Sequence, residues 1–257
     1  YILEKIERPF SKKFVIIIGP GNNGSDGIIC HHYLIKYGVK SELLLLSTKQ
    51  NNRKILNDYS INKEYVRIYS KSYIFSNTSW YIDAIFGIGL KRKLSAKYLE
   101  VVKKINNFSN IISIDIPSGI YADTGISAGC SVKANITLPI GYAKYGHFIN
   151  DGLQNSNNIS ILDIGFPEIQ SDDCIQLIER SDVGALIPKH GCNINKYTRG
   201  KTLIIAGSLG HSGACILAAN SAISSGAGLV KIIAPLSLKY IYETSLIEPI
   251  IKYFDDD

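Results

Sequence analysis

Three short phrases hold residue types, glycine-rich turns and strand-end carboxylates, that could do chemistry. The first is Gly19-Pro-Gly-Asn-Asn-Gly-Ser-Asp-Gly27, which follows an apolar, β-branched run and precedes a helix-like pattern. Gly21, Gly24 and Gly27 would let the chain turn and let a ligand approach the backbone. Unpaired N–H groups at the helix start, with the helix dipole, would form an anion site. No lysine follows in P-loop spacing, and no acidic residue closes a strand about 20 positions on, as a dinucleotide fingerprint requires. Glu42 lies near that spacing but precedes its strand. The other two phrases place Asp83 and Asp115 at the ends of apolar runs, in Tyr81-Ile-Asp-Ala-Ile-Phe-Gly-Ile-Gly89 and Ile111-Ile-Ser-Ile-Asp-Ile-Pro-Ser-Gly119. A carboxylate among isoleucines must meet a cation, a hydrogen-bond donor or a proton, because burying it charged and unpaired is costly. A strand-end aspartate can also do no more than cap a loop. Two of them beside one glycine loop favour a shared site.

The elements that must position these phrases read as alternating strands and helices. Phe14–Ile18 is continuously apolar, the pattern of a strand buried on both faces of a parallel sheet. A helix follows and stops at Gly38. Further strands are expected at 43–46, 66–69, 81–85 and 111–116, with a helix over 94–106. Runs at 136–138 and 159–162 are expected to extend the sheet. This rhythm predicts βαβ units with right-handed crossovers. It breaks over 171–192, which reads as a linker between a domain at 1–170 and a second at 193–257. The second opens with a strand at 202–206, a glycine loop at 207–213, a helix at 214–225 and a strand at 229–234. About one more turn and helix is expected before the last residues.

Composition narrows the function classes. The 257 residues are 46% hydrophobic and 19% charged, which excludes a disordered or collagen-like chain. No apolar run is long enough to span a membrane. The net charge of +6 is spread in short clusters such as Lys91-Arg-Lys93, unlike the concentrated basic stripe of a nucleic-acid binder. Neither a nucleic acid nor a membrane is therefore expected as a partner. The five cysteines (30, 130, 174, 192 and 215) form no C-x-x-C, so neither a zinc site nor a disulfide framework is expected. Idle thiols suit the reducing cytoplasm. His31 and His32 read as surface or partly buried helix residues. The sequence contains no Met and Tyr1 runs at once into a helix-like stretch, so the chain is expected to be a fragment with both domains cut short.

The same phrases carry a family resemblance. Gly21–Gly27, Asp83-Ala-Ile-Phe-Gly-Ile-Gly-Leu90 and Ile114-Asp-Ile-Pro-Ser-Gly-Ile-Tyr-Ala-Asp-Thr-Gly125, in that order, resemble the YjeF amino-terminal family of NAD(P)H-hydrate epimerases. Lys201-Thr-Leu-Ile-Ile-Ala-Gly-Ser208 and Ser224-Ser-Gly-Ala-Gly-Leu-Val230 resemble the start of the ADP- or ATP-dependent NAD(P)H-hydrate dehydratases. The resemblance implies a Rossmann-like three-layer α/β/α sandwich with a mostly parallel sheet, followed by the truncated start of a ribokinase-like α/β domain.

It also implies residue roles. Asn22, Asn23, Gly24, Ser25 and Asp26 would bind the phosphate-bearing part of hydrated NADH or NADPH. Gly87, Ile88, Gly89, Leu90, Lys91, Arg92 and Lys93, with Asp115, would contact substrate, and Asp115 would be the acid–base catalyst. Asn23, Asp83 and Ser118 would hold potassium, for which such oxygen ligands are suited. Ala214 would line part of the dehydratase pocket, which takes ADP or ATP in the family. The dehydratase Gly-x-Gly-Asp phrase is not among these residues, so this stretch alone is expected not to dehydrate. The chain departs from the family at Ser25, where glycine is usual, and at Ile88, where threonine is usual. A serine at 25 would be strained if its φ were positive. Relatives often pair, so a homo-oligomer is possible on this reading. The alternatives are a non-catalytic binding or scaffold module of the same family and a generic dinucleotide dehydrogenase.

Overall fold

Phe14 through Ile18 are all but inaccessible to solvent, and they lie in β1 (Lys13–Ile18), a central strand of the sheet. The computed structural model describes residues 1–48, 50–77, 79–167, 175–188 and 194–255. Cys174, Cys192, both ends of the expected linker (171–174 and 189–192) and the last two residues lie outside the described residues. The chain divides into two compact units, Tyr1–Ile175 and Gln176–Asp257.

In the first unit, α1 (Ile2–Lys5) leads into β1, and α2 (Asn22–Lys36) follows. The chain continues through β2 (Lys40–Leu45), α3 (Gln50–Asp58), β3 (Val66–Ile68), β4 (Ser79–Ala84), α4 (Ala96–Ile105), β5 (Ile111–Ile114), β6 (Ile136–Leu138) and α5 (Asn150–Asn155). All six strands are parallel, in the order β3-β2-β1-β4-β5-β6. The order reverses between β1 and β4. In doubly wound sheets, ligands bind outside the carboxyl ends of the strands at this switch point.

Alternation along β1 divides the core. Phe14, Ile16 and Ile18 pack with Ile28 and Leu34 of α2 and with Ile55 and Leu56 of α3. Val15 and Ile17 face the opposite layer, with Val101, Val102 and Ile105 of α4. The result is the expected three-layer α/β/α arrangement. Gly38, at φ +80, ends the α2 segment, and its N–H bonds to the Ile35 carbonyl at 2.9 Å. His31 is buried against Ser41, its Nδ1 2.9 Å from the hydroxyl, and burial lowers its pKa to about 4. Cys30, Cys130 and Cys215 are unpaired thiols.

Several expectations need correction. The 159–162 run forms isolated bridges, Thr137 with Ile159 and Ile140 with Leu162, and is not a strand of the sheet. Pro139 breaks the backbone N–H ladder beside it. The strand expected over 111–116 ends at Ile114, because Asp115 turns at φ +68. Helices α3 and α5 were not expected.

In the second unit, α6 (Arg180–Leu186) precedes β7 (Lys201–Ile205), α7 (Ser212–Ser224), β8 (Leu229–Pro235), α8 (Lys239–Ser245) and β9 (Ile250–Phe254). The three strands are parallel in sequence order, and β9 was also not expected. Val230, Ile232 and Ala234 pack on Cys215 and Ala219 of α7 and on Tyr242 of α8.

The loop after β1 owes its shape to close packing. A Cβ on Gly19 would lie 1.8 Å from the Ile85 carbonyl oxygen, whereas one on Gly21 would meet nothing within 4 Å. Gly19→Ala should therefore destabilise the first unit by about 2–4 kcal/mol through overpacking. Its thermal midpoint should fall by roughly 5–15 °C. Gly21→Ala, at the N-cap of α2, should cost less than about 1 kcal/mol. Thermal unfolding of the two variants tests the contrast.

Candidate functional site

Asp83 is on β4, where its register partners are Ile17 of β1 and Ser113 of β5. Its side chain is fully buried and accepts four hydrogen bonds. Oδ1 receives the Ser118 hydroxyl at 2.6 Å and the Ile85 N–H at 3.2 Å. Oδ2 receives the Ser118 N–H at 2.8 Å and the Ser113 hydroxyl at 2.9 Å. Burial pushes the carboxyl pKa up, and the bonds from Ser118, Ser113 and Ile85 oppose that shift. Among the described residues, no Lys, Arg or His forms an ion pair with it.

Ser118 links this carboxylate to the next loop. Its Oγ accepts from the Phe86 N–H at 2.8 Å and lies 3.1 Å from the Phe86 carbonyl. Gly87 follows, and it has to be small: a Cβ there would lie 2.6 Å from Asp115 Oδ2 and 3.5 Å from the Asn23 Cβ. Asn23, Gly87 and Asp115 therefore crowd one point beyond the strand ends. Asn23 reaches across from α2, donating Nδ2 to the Ile114 carbonyl at 3.2 Å. Its Oδ1 is buried and has no partner among the described residues. An orphaned buried acceptor is uncommon in native proteins, and this one is free to meet a donor or a cation.

Asp115 is 8% exposed and sits at φ +68. A non-glycine residue in the left-handed region carries strain of order 1 kcal/mol and persists only where its surroundings enforce it. Here the enforcement is specific. The Asp115 N–H bonds to the Leu138 carbonyl at 2.8 Å, and its own carbonyl lies 2.9 Å from His147 Nε2. A carbonyl can only accept, so Nε2 donates to it, while Nδ1 lies 2.9 Å from the Lys144 backbone nitrogen and 3.1 Å from the Lys144 carbonyl. Burial pushes the His147 pKa down, and its bonds to the Asp115 and Lys144 backbone oppose that shift. The Asp115 carboxylate meets Lys144 Nζ at 2.5 Å through Oδ1 and the Ile88 N–H at 3.2 Å through Oδ2.

The other expected residues fall into three groups. Asn22, Asn23, Gly24, Ser25 and Asp26 all lie in the first turns of α2, not in a preceding loop. First-turn N–H groups have no intrahelical acceptor, so this end can receive an anion. Gly24 and Gly27 serve packing, not ligand approach: a Cβ on Gly24 would lie 2.4 Å from the Gly19 carbonyl, and one on Gly27 2.6 Å from Ala84 Cβ. Ser25 has no positive φ, so the anticipated strain is absent, and its hydroxyl accepts from Asn51 Nδ2 at 3.1 Å. Ile88, Gly89, Lys91, Arg92 and Lys93 are exposed on the loop after β4. Leu90 is buried in the α4-side core, which leaves only its backbone to face a ligand. Ala214 is exposed near the start of α7, in the second unit. Sequence reasoning missed Lys144, His147 and Ser113, whose partners are distant in the chain and belong to no short motif.

A cavity of about 340 Å³ opens beside Asp26, lined by Ile29 and Cys30 of α2 and by Ile114, Leu138 and Ile140. Burial, and then the charge of Asp115, raise the Asp26 pKa from 3.8 to about 6. The stabilising contribution of that bound proton is fully present below about pH 3.8 and is lost as pH rises through about 6. The shift corresponds to at most about 3 kcal/mol. Solvent access to this partly buried group reduces it to about 1–2 kcal/mol. Asp26→Asn should thus be more stable than the parent by that amount above pH 7, with the gap closing below about pH 4. Denaturant titrations at pH 4 and pH 8 measure it.

The model of the YjeF-related protein N-terminus family matches residues 1–146, and that of NAD(P)H-hydrate dehydratase matches residues 202–257. A bifunctional NAD(P)H-hydrate repair enzyme Nnr of Dictyoglomus turgidum is 34% identical over 94% of this chain and 49% of its own length. An NAD(P)H-hydrate epimerase of Weissella koreensis is 34% identical over 59% of this chain and 70% of its own. One of Elusimicrobium minutum is 32% identical over 61% and 75%. The chain spans about half the length of the bifunctional relatives it matches. With more than half of its residues matched by that first family model, the chain belongs to the YjeF-related N-terminal family.

Proposed function

We propose that the first unit interconverts the R and S epimers of hydrated NADH or NADPH at C6 of the nicotinamide ring, as part of nicotinamide nucleotide repair. The observation that carries this reading is Asp115, strained, nearly buried and turned toward Gly87 and Asn23 at the strand ends. A scaffold module would have no use for a strained carboxylate there. On this reading the α2 amino terminus, Asn22 to Asp26, takes the dinucleotide's anionic groups, and the exposed Lys91, Arg92 and Lys93 add positive charge at the rim. Asp115 exchanges a proton with the C6 hydroxyl during the loss and recovery of configuration.

Asn23, Asp83 and Ser118 are the residues that would hold potassium. The unpartnered Asn23 Oδ1 and the buried Asp83 carboxylate fit a cation of that kind. When bound, the ion would offset the Asp83 charge and fix the loop at Phe86–Gly87. Ser118 and Ser113 already orient the Asp83 oxygens, so the chain contributes a prepared set of acceptors. The second unit, with its glycine turn before α7 and Ala214 near the helix start, would serve as part of an ADP- or ATP-dependent dehydratase in a longer protein. A cytoplasmic location, where the nicotinamide nucleotides are used, goes with this function.

Asp115→Asn should lower the rate of epimer exchange by about 10²–10⁴-fold, the range lost when a proton-transfer group is removed. Chromatographic separation of R and S NADPH hydrate measures the exchange, and an unchanged rate would remove Asp115 from the chemistry. Potassium should raise the thermal midpoint of the parent more than lithium does, and Asn23→Ala should abolish the difference.

A further inference from the structure

Asp115 makes two polar contacts through its carboxylate, and both come from donors. Lys144 Nζ lies 2.5 Å from Oδ1, and the Ile88 N–H lies 3.2 Å from Oδ2. Neither an ammonium nor a backbone N–H can accept a hydrogen bond. A proton on the lone pair that already accepts would face another proton, but each oxygen keeps a second lone-pair direction unused. The carboxylate is therefore arranged to take up a proton first and return it afterwards.

Lys144 holds this arrangement from outside the site's three sequence phrases. Besides Asp115, its Nζ donates to the Ile140 carbonyl at 3.0 Å, and its side chain is 18% exposed. Three residues on, His147 holds the Asp115 carbonyl. The short segment 144–147 thus grips Asp115 at both the side chain and the main chain, and the Ile88 N–H fixes the other carboxylate oxygen.

We infer that Lys144 is a positioning residue that sets Asp115 as a base, and that the epimers exchange by ring opening and not by loss of hydroxide. The inference rests on the epimerase reading above. In the hydrated ring, C6 carries the hydroxyl and is bonded to the ring nitrogen N1, while C5 is saturated. Asp115 takes the hydroxyl proton. The electron pair of that O–H bond becomes the second C–O bond of an aldehyde, and the C6–N1 bond breaks. Its pair goes to N1, where conjugation through the C2–C3 double bond spreads the charge onto the carboxamide. Rotation about C5–C6 turns the other aldehyde face to N1. Nitrogen then attacks, the C=O pair returns to oxygen, and oxygen recovers the proton from Asp115. No water, oxidant or reductant is consumed. Loss of hydroxide would instead need a proton delivered to the leaving oxygen at the outset, and a carboxylate already held by two donors begins the cycle without one.

The two routes differ in the fate of the C6 oxygen. Hydroxide loss replaces it with solvent oxygen at every inversion, whereas ring opening retains it. The test is epimer exchange by the whole chain in water enriched in oxygen-18, sampled early, with mass spectrometry of each NADPH hydrate epimer. Retention of the original oxygen in the newly formed epimer is expected. One labelled oxygen per inverted molecule would overturn the ring-opening route while leaving the epimerase reading intact. A parent chain with no exchange at all would overturn both. For Lys144, the Lys144→Met variant should lose about 10²-fold in kcat, the cost of a misplaced reacting group, with KM changed by less than about threefold. Lys144→Arg, which keeps a charged donor, should recover to within about tenfold of the parent. Full kcat in Lys144→Met, or equal losses in the two variants, would overturn the positioning role. The oxygen-18 result is read on the parent and is independent of how either variant folds.

Discussion

A carboxylate sealed inside a protein without a counter-ion is the constraint on which the first unit's site is built. Asp83 is at that position in β4, and the chain answers its charge with four hydrogen bonds in place of an ion pair. Each donor comes from a segment that must then keep its place. Ser113 belongs to β5, Ser118 to the turn that follows it, and Ile85 to the start of the loop after β4. Truncating any one donor would leave a buried charge under-solvated, the most expensive kind of polar defect. The network thus fixes the relative height of two neighbouring strands and the path of both loops leaving them.

From that anchor the remaining geometry follows by contact. Ser118 fastens Phe86, which sets Gly87, and Gly87 leaves room for Asp115 beside Asn23. Asp115 in turn is forced into a left-handed conformation by Leu138 and His147. Strain in one residue is thereby balanced by hydrogen bonds from elements well separated in sequence. The helix that supplies Asn23 is itself pressed onto the sheet, because Gly24 and Gly27 let it approach Gly19 and Ala84. The glycines of the first phrase are thus divided between two tasks. Some allow close packing beneath the helix, and the backbone above remains open to a ligand.

Much of this was legible in the residues. Unbroken apolar runs such as Phe14–Ile18 and Ile111–Ile114 can be satisfied only inside a sheet covered on both faces, and an aspartate closing such a run must have a partner. The strand order was not legible, since all the central strands look alike as isoleucine-rich runs. Helix α3 was missed because Gln50-Asn-Asn-Arg-Lys-Ile-Leu-Asn-Asp58 offers only Ile55 and Leu56 to the core and is otherwise polar. Helix α5 was missed because Asn-Asp-Gly-Leu-Gln-Asn is a poor helix former, held here by tertiary contacts such as the Gly152 N–H to the Gly125 carbonyl. In β9 the exposure alternates over only five residues, too few to distinguish a strand by pattern. Lys144 escaped notice because its meaning lies wholly in a partner 29 residues earlier. The tautomer of His147 likewise depends on a carbonyl that no local pattern could assign to it.

The grip of residues 144–147 on Asp115 also bears on the order in which the protein is synthesised. A ribosome delivers the glycine loop first, then Asp83, then Asp115, and only afterwards Lys144 and His147. Until that last segment has cleared the exit tunnel, the turn at Asp115 has its Leu138 contact but lacks those of Lys144 and His147. Parallel pairings of this range form slowly compared with local helices. Maturation of the site would therefore coincide with closure of the far edge of the sheet, and a translational pause placed before residue 144 would hold the protein in a silent form.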